Sequence, residues 1–326
     1  MRTFISFVIF VSSVTAWVAA ATDTAFAKPS YENFDSRTRK LVQKANYDSW
    51  SKKPRKTFDI NYKTDIPKEF DARQYFVNCA NVIGDVKDQG NCASSWAVAV
   101  ASTFTDRLCI ATNGTFTQNL SAQNLMSCGD DEKMGCNGGS AFKAWEFITG
   151  TGIVTGGNFD SNEGCQPYKN RPCDHYGDSR MTNCSSLRKT PMTICREKCI
   201  NKNYKVKYDD DLHKTSVNYI TSWTNVIQIQ QEIMTYGPVT ALMYVYENFM
   251  GYKKGVYKST VGDLIGYHHV KLIGWGVDND GNEYWLAMNS WNSNWGENGL
   301  FKILRGYNFC SIELLVMAGI ADVSQP

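Results

Sequence analysis

Eleven cysteines, spread from position 79 to position 310, constrain this chain more than any other feature of its sequence. In an oxidising compartment such usage predicts a framework of disulfide bonds, and the odd count leaves one thiol over. A metal site is the competing interpretation, but the paired CxxC knuckles of zinc modules do not occur in the sequence. We therefore expect a disulfide-bonded protein that needs no metal and no cofactor.

The N-terminus predicts entry into the secretory pathway. Arg2 is followed by an apolar run from Phe4 to Ala20, which ends in the small residues that signal peptidase recognises. We expect a signal peptide over residues 1–20, with Ala25-Phe26-Ala27 as a second candidate site. The run is short and no charge cluster follows it closely, which disfavours a membrane anchor. The final location would be extracellular or lysosomal.

A basic, polar segment follows the signal peptide. Residues 22–65 hold ten Lys or Arg against six Asp or Glu, including the run 51–56, which no core would bury. We interpret residues 21–65 as a propeptide. From Ile66 onward the acidic residues outnumber the basic ones by three, so the basic footprint of a nucleic-acid binder is missing. The 326 residues, 43% of them hydrophobic, suffice for one or two cores.

Three Asn-Xaa-Ser/Thr triplets are candidate glycosylation sites, at Asn113, Asn119 and Asn183. Asn113 is followed by Gly114, a pair typical of turns, so we expect it to be the first of the three to be modified.

Several short motifs recur in a fixed order along the rest of the chain. They are Gln89-Gly90-Asn91-Cys92-Ala93-Ser94-Ser95-Trp96, Cys136-Asn137-Gly138-Gly139, Gly274-Trp275-Gly276, Asn289-Ser290-Trp291 and Asn294-Trp295-Gly296-Glu297-Asn298-Gly299. Each motif alone is weak, but together they resemble the papain family of cysteine peptidases. The stretch Ile66 to Arg73 resembles the mature start of cathepsin B. The resemblance implies an α+β fold over residues 66–326, with a helical left domain, a β-barrel-like right domain and a cleft between them.

The resemblance also implies a catalytic set, with one departure. Ser95, at the start of a helix predicted over Ser95 to Ile110, takes the position of the nucleophilic cysteine. His268 would be the general base, Asn289 the amide that orients its ring, and Gln89 an oxyanion donor. On an alternating strand His269 faces away from His268, so we interpret it as a surface or packing residue.

The implied substrate cleft is partly retained and partly altered. Gly138 and Gly139 match the rim that pairs with substrate backbone, and Trp291 matches the aromatic shelf beside the leaving side. Leu315 replaces the acidic residue of the second subsite, so any preference there should be apolar. Tyr267 replaces a glycine next to His268, and we expect it to narrow the cleft.

The interval from Ser95 to His268 is 173 residues, longer than the roughly 130 to 150 usual in this family. The excess lies between Cys165 and Cys199, a segment that resembles the occluding-loop insertion of cathepsin B. His175 matches one histidine of that loop, with Asp88 as its expected partner. Tyr176 replaces the histidine that grips a substrate's terminal carboxylate, which disfavours dipeptide removal.

Carried over from the resemblance, the disulfides would join five pairs and leave Cys310 free. The pairs are Cys79 with Cys109, Cys92 with Cys136, Cys128 with Cys195, Cys165 with Cys199, and Cys173 with Cys184.

Replacing the thiol by a hydroxyl removes the resting thiolate–imidazolium pair, because a serine hydroxyl is far too basic to ionise in this way. The predicted propeptide also lacks room before Ile66 for a segment that would block the cleft. An active protease would need such a self-inhibitor, whereas an inactive protein would not. The leading hypothesis is a pseudoprotease that binds peptides or proteins in the cleft, cystatin-like inhibitors among them. The alternatives are a slow peptidase that uses Ser95, and a matrix or storage protein like the tubulointerstitial nephritis antigen family, which also has serine here.

Overall fold

A computed structural model describes residues 65–129, 135–176, 180–188, 190–191, 194–222 and 224–324. The predicted signal peptide, and the propeptide up to residue 64, lie outside these residues. The helices are α1 (Ala72–Tyr75), α2 (Ala80–Ile83), α3 (Ser95–Ala111), α4 (Ala122–Cys128), α5 (Ala141–Gly150), α6 (Val226–Tyr236) and α7 (Glu247–Met250). The strands are β1 (Phe70–Asp71), β2 (Thr215–Ser222), β3 (Val239–Tyr246), β4 (Val256–Tyr257), β5 (Leu264–Val277), β6 (Glu283–Met288), β7 (Leu300–Leu304) and β8 (Val316–Ala321).

The N-terminal half forms a helical domain around α3. Small and apolar residues make up most of α3, and nearly all of its residues are buried, as expected of a helix enclosed by protein. Its Phe104 ring meets Trp145 of α5 at a centroid distance of 6.1 Å. Helices α4 and α5 are capped at their N-termini by Ser121 and Ser140, whose hydroxyls accept a backbone N–H of the first turn.

The C-terminal half supplies seven strands of an eight-stranded sheet, and β1 from the N-terminal half supplies the eighth. The strand order is β2-β8-β3-β5-β6-β7-β4, and β1 pairs with β5. The long central strand β5 pairs antiparallel with both β3 and β6, and its residues from Ile265 to Gly276 are buried. Two cores of different make-up, one helical and one sheet-based, confirm the α+β fold expected from the sequence.

The Gly274-Trp275-Gly276 motif has a packing reason. A Cβ on Gly274 would lie 2.1 Å from the carbonyl oxygen of Phe70, so glycine permits β1 to approach β5. The Phe70 ring then stacks on Trp275 at 4.8 Å. The motif thus anchors the start of the domain to the central strand.

Two buried ion pairs connect α3 to the C-terminal half. Arg107 bonds Glu232 of α6 at 2.5 Å and donates to the carbonyl oxygen of Gly319 on β8 at 2.9 Å. Asp106 lies 2.6 Å from the ammonium of Lys271 on β5. Because unpaired charges are costly to bury, these pairs fix how the helix lies against the sheet.

The five disulfides join the pairs that the resemblance implied, which confirms the pairing. They are Cys79–Cys109, Cys92–Cys136, Cys128–Cys195, Cys165–Cys199 and Cys173–Cys184. Cys310 is a buried free cysteine, and burial raises the pKa of its thiol to about 12, so it stays protonated.

Candidate active site

Ser95 is the first residue of α3, where the helix meets the central strand of the sheet. The Cys92–Cys136 bridge holds the chain just before it, and Ala93 donates its N–H to the carbonyl oxygen of Cys136 at 3.2 Å. The Ser95 hydroxyl is buried and accepts the backbone N–H of His269 at 3.2 Å. A residue of the N-terminal half thereby contacts β5 directly.

His268 lies on β5 with its Nε2 2.7 Å from Oδ1 of Asn289. The same oxygen accepts the N–H of Ser290 at 2.7 Å, so Asn289 acts as the acceptor and Nε2 of His268 donates. In the neutral ring Nδ1 is then the acceptor nitrogen, as a general base requires. The Trp291 ring lies 4.9 Å from the imidazole and covers it.

Gln89 is fully buried and held at both ends of its side chain. Its Oε1 accepts the hydroxyl of Ser290 at 2.7 Å, and its Nε2 donates to the carbonyl oxygen of Cys92 at 2.7 Å. An amide nitrogen carries two hydrogens, so the Cys92 bond leaves at most one for a developing oxyanion. The backbone of Gln89 is also fixed, because Tyr168 donates its hydroxyl to the Gln89 carbonyl at 2.9 Å.

The two glycines of the predicted rim have different constraints. Gly138 has a φ of 122°, a backbone conformation that side chains rarely allow. A Cβ on Gly139 would lie 2.2 Å from the Trp96 ring of α3. Both positions need glycine for backbone shape and close packing, whatever they contribute to a ligand.

The Cys165–Cys199 insertion is fastened beside Trp291. His175 Nε2 lies 2.7 Å from Asp88 Oδ1, and the other oxygen of Asp88 accepts the side-chain amide of Asn292 at 2.8 Å. The His175 ring is also roughly parallel to Trp291 at 6.0 Å. Tyr176 is 43% exposed and lies under the ammonium of Lys253, 5.4 Å from its ring centroid.

Among the residues described, Cys173, His175 and Cys184 come close enough together to suggest a metal site. The two sulfurs are joined to each other in a disulfide, which prevents both from acting as thiolate ligands while the bridge stands. The proximity of the two cysteines is therefore explained by their disulfide bond.

Tyr267, predicted to narrow the cleft, and Leu315, predicted at the second subsite, pack against each other and against Leu242 of β3. The Tyr267 ring also meets Tyr244 at 5.0 Å in an edge-on arrangement. These four side chains form one apolar cluster beside the site.

His269 is not a surface residue, which corrects part of the sequence interpretation. It is fully buried, and burial together with the neighbouring His268 lowers the pKa of its imidazole to about 3. Its ring is therefore neutral at any pH at which the protein would work, and it serves packing.

Comparison with known proteins assigns the chain to a family. A family model described as "Papain family cysteine protease" matches residues 66–320. This chain belongs to the papain family of cysteine proteases. Proteins of this family bind peptide substrates in the cleft between their two halves.

Relatives that match most of this chain include cathepsin B-like proteinases. "Cathepsin B-like cysteine proteinase 4" of Caenorhabditis elegans is 45% identical over 267 residues, which cover 81% of this chain and 78% of that protein. A Schistosoma japonicum "Cathepsin B-like cysteine proteinase" is 41% identical over 80% of this chain and 75% of its own length. The solved structure "proCathepsin B S9 from Trypanosoma congolense" covers 96% of this chain and 99% of its own, with a TM-score of 0.73 at 29% identity.

Within this papain fold, sequence reasoning missed residues that support the site from behind. Tyr168 bonds both the Gln89 carbonyl and the Ser94 hydroxyl, at 2.9 and 2.6 Å. Asn292 ties Asp88 to the carbonyl oxygen of Cys173 at 2.9 Å. Asn292 follows the Asn-Ser-Trp triplet directly, a signal that could have found it, whereas no local motif marks Tyr168.

The three glycosylation candidates lie in different settings. Asn113 is exposed, with a left-handed φ of 51° in the turn after α3. Asn119 is half-buried, accepts the Lys87 ammonium at 2.7 Å and donates to Asp85 at 3.3 Å. Asn183 caps a short turn by accepting the N–H of Ser185 at 3.0 Å. Asn113 is thus the most exposed of the three, and its modification stays a prediction. Among the described residues, no helix is long and apolar enough to cross a membrane.

Proposed function

We propose that this protein is a catalytically impaired cathepsin B-like peptidase homologue that holds peptides or proteins in its cleft without hydrolysing them efficiently. Ser95 takes the nucleophile position, His268 the base position, Asn289 the orienting position and Gln89 the oxyanion position. The observation that carries the proposal is the bond from His268 Nε2 to Asn289, a neutral amide, at 2.7 Å.

The neutral partner matters because a serine and a cysteine need different help. A cysteine paired with histidine is already a thiolate, so its imidazolium exists before substrate arrives. A serine must lose its proton in the transition state, and the imidazolium that forms is stabilised by a carboxylate in serine proteases. Replacing that carboxylate by an amide costs about 10⁴ in turnover there, roughly 5.5 kcal/mol. We expect Ser95 beside Asn289 to carry a handicap of this kind.

Binding does not depend on the nucleophile. Gly138 and Gly139 are proposed to pair with ligand backbone, and Trp291 to form the shelf on the leaving side. Cystatin-like inhibitors are a second class of partner for such a cleft. Tyr176, with no imidazole to offer a terminal carboxylate, favours binding of internal chain segments over free C-termini. The five disulfides support a secretory location, lysosomal or extracellular.

A slow Ser95-dependent peptidase is the second candidate. Two observations favour it. The backbone N–H of His269 donates to the Ser95 hydroxyl, and the bond from His268 Nε2 to Asn289 leaves Nδ1 as the acceptor nitrogen of the ring. A nucleophile, a base, an orienting amide and an oxyanion donor are then all present.

The two candidates are separated by hydrolysis and binding measured on the same peptides. The secreted protein and its Ser95→Ala and Ser95→Cys variants are tested against a diverse fluorogenic peptide library. We expect the parent to equal Ser95→Ala, while fluorescence polarisation detects peptide binding by both. Ser95-dependent cleavage would establish the peptidase instead.

A blocking control tests where the peptides bind. Iodoacetamide should alkylate Ser95→Cys and abolish its peptide binding, while the same treatment leaves the Ser95→Ala variant unchanged, because burial raises the pKa of the Cys310 thiol to about 12 and keeps it protonated. Peptide binding that survives alkylation would place the ligand outside the cleft and contradict the proposal.

A further inference from the structure

The sheet presents one row of bulky side chains next to Ser95. In the pairing of β3 with β5, Leu242 lies opposite His269 and Tyr244 lies opposite Tyr267. Directly paired residues share a face of the sheet, and this face is the one away from the His268 side chain. Since the His269 N–H bonds the Ser95 hydroxyl at 3.2 Å, the row begins at the nucleophile position.

The side chains of this row are packed against each other. Tyr267, Leu242 and Leu315 form one cluster and are 8%, 5% and 6% exposed. Tyr244 meets the Tyr267 ring edge-on at 5.0 Å. Leu242 donates its N–H to the carbonyl oxygen of Leu315 at 3.2 Å, which holds the two backbones together. The phenol ring of Tyr267 thus has apolar neighbours from β3 and from the segment before β8.

The distance of Tyr267 from His269 along β5 equals the spacing of two residues in an extended peptide ligand. Tyr267 precedes His269 by two residues, about 7 Å along an extended strand. A peptide with its reacting carbonyl at Ser95 also extends by roughly 3.3 Å per residue. For a ligand that runs along β5 from Ser95 toward Tyr267, the second residue on the N-terminal side of that carbonyl reaches the level of Tyr267, against which Leu315 packs.

We infer that Tyr267 occupies the second subsite itself, so that the cleft selects ligands with glycine or alanine at the second residue before the carbonyl held at Ser95. This inference rests on the proposed peptide-binding function and names the ligand class. A leucine or phenylalanine there would have to displace an aromatic ring from a packed cluster, and closely packed interiors yield poorly to added volume. The apolar preference expected from Leu315 alone is replaced by a preference for small residues.

The test uses the Ser95→Cys variant, whose thiol can be alkylated. The probes are peptidyl acyloxymethyl ketones that differ only at the second residue, which is Gly, Ala, Leu or Phe. The thiolate attacks the methylene carbon, a C–S bond forms, and the carboxylate leaves with the electron pair of the broken C–O bond. We expect the Gly and Ala probes to label Ser95→Cys at least tenfold faster than the Leu and Phe probes.

Adding Tyr267→Gly to Ser95→Cys should speed labelling by the Leu probe at least tenfold. Tyr307→Gly in the same background is the matched control, because Tyr307 is 75% exposed between β7 and β8, and it should leave the order of the probes unchanged. If Tyr267→Gly does not fold, the order of the labelling rates of the four probes on Ser95→Cys alone still tests the inference. Equal labelling by all four, or labelling by none with either variant, overturns the inference.

The two proposals fail in different ways. Hydrolysis by the parent that depends on Ser95 would end the proposed non-hydrolytic function and leave the probe order intact. Labelling only after Tyr267→Gly would support the filled subsite, and it would show that the parent cleft admits no peptide.

Discussion

At the scale of single residues, a difference of one atom type changes what the site can do. Ser95 stands at a helix start and against His269, but a hydroxyl gains too little from these neighbours to ionise. His268 and Asn289 are arranged as a thiolate would require, with an amide that orients the ring and carries no charge. We expect this arrangement to orient a base but to stabilise the imidazolium of a serine mechanism less well than a carboxylate would.

The Asn289→Asp variant tests this reasoning. A carboxylate at this position would accept from His268 Nε2 and stabilise the imidazolium, so we expect Ser95-dependent hydrolysis to rise at least tenfold, and up to about 10⁴-fold. The measurement is turnover of a fluorogenic peptide with glycine at the second residue. The double variant Ser95→Ala with Asn289→Asp is the control, and an equal rise in both would contradict a role for Ser95.

At the scale of elements, buried charge pairs decide how α3 lies on the sheet. Lys271 of β5 is held by Asp106 at 2.6 Å and by the Ser102 hydroxyl at 2.8 Å. Burial raises the pKa of Asp106 to about 6 although Lys271 opposes the shift. The carboxylate thus binds its proton more tightly in the folded protein than in the unfolded chain.

This pair should make stability depend on pH. The unfolded carboxyl titrates near 3.8 and the folded one near 6, so the contribution of Asp106 is complete below pH 3.8 and is lost as pH rises through 6. We expect the free energy of unfolding, measured with urea at pH 4 and pH 7, to fall more in the parent than in the double variant Asp106→Asn with Lys271→Met. Equal changes in the two proteins would contradict the assignment.

At the scale of the whole molecule, disulfides hold together loops that the two cores do not. Cys128–Cys195 closes an interval of 67 residues and connects α4 to the insertion, whereas Cys173–Cys184 closes only 11 residues within the insertion. The loop-entropy account assigns about 4 kcal/mol to the first and about 3 kcal/mol to the second. Each contribution is large compared with the net stability of a domain.

Paired Cys→Ser variants should reproduce this order. Removing Cys128–Cys195 is expected to lower the thermal midpoint more than removing Cys173–Cys184. The shorter bridge should act locally, so its loss should loosen the His175–Asp88 contact, which hydrogen exchange of residues 173–184 would report. A larger loss of stability from the shorter bridge would show that local packing outweighs loop length.

The sequence alone determined the family and the start of α3, because ordered motifs and helix signals are local features of the chain. The disulfide pairing followed only from the resemblance to that family. The predicted helix from Ser95 to Ile110 ends one residue later, at Ala111. The tertiary structure alone decided that His269 is buried and that Tyr267 packs on Leu242 and Leu315. Tyr267 and Leu242 come from different strands, and the register of β3 on β5 brings them to one face, whereas Leu315 reaches them from the segment before β8.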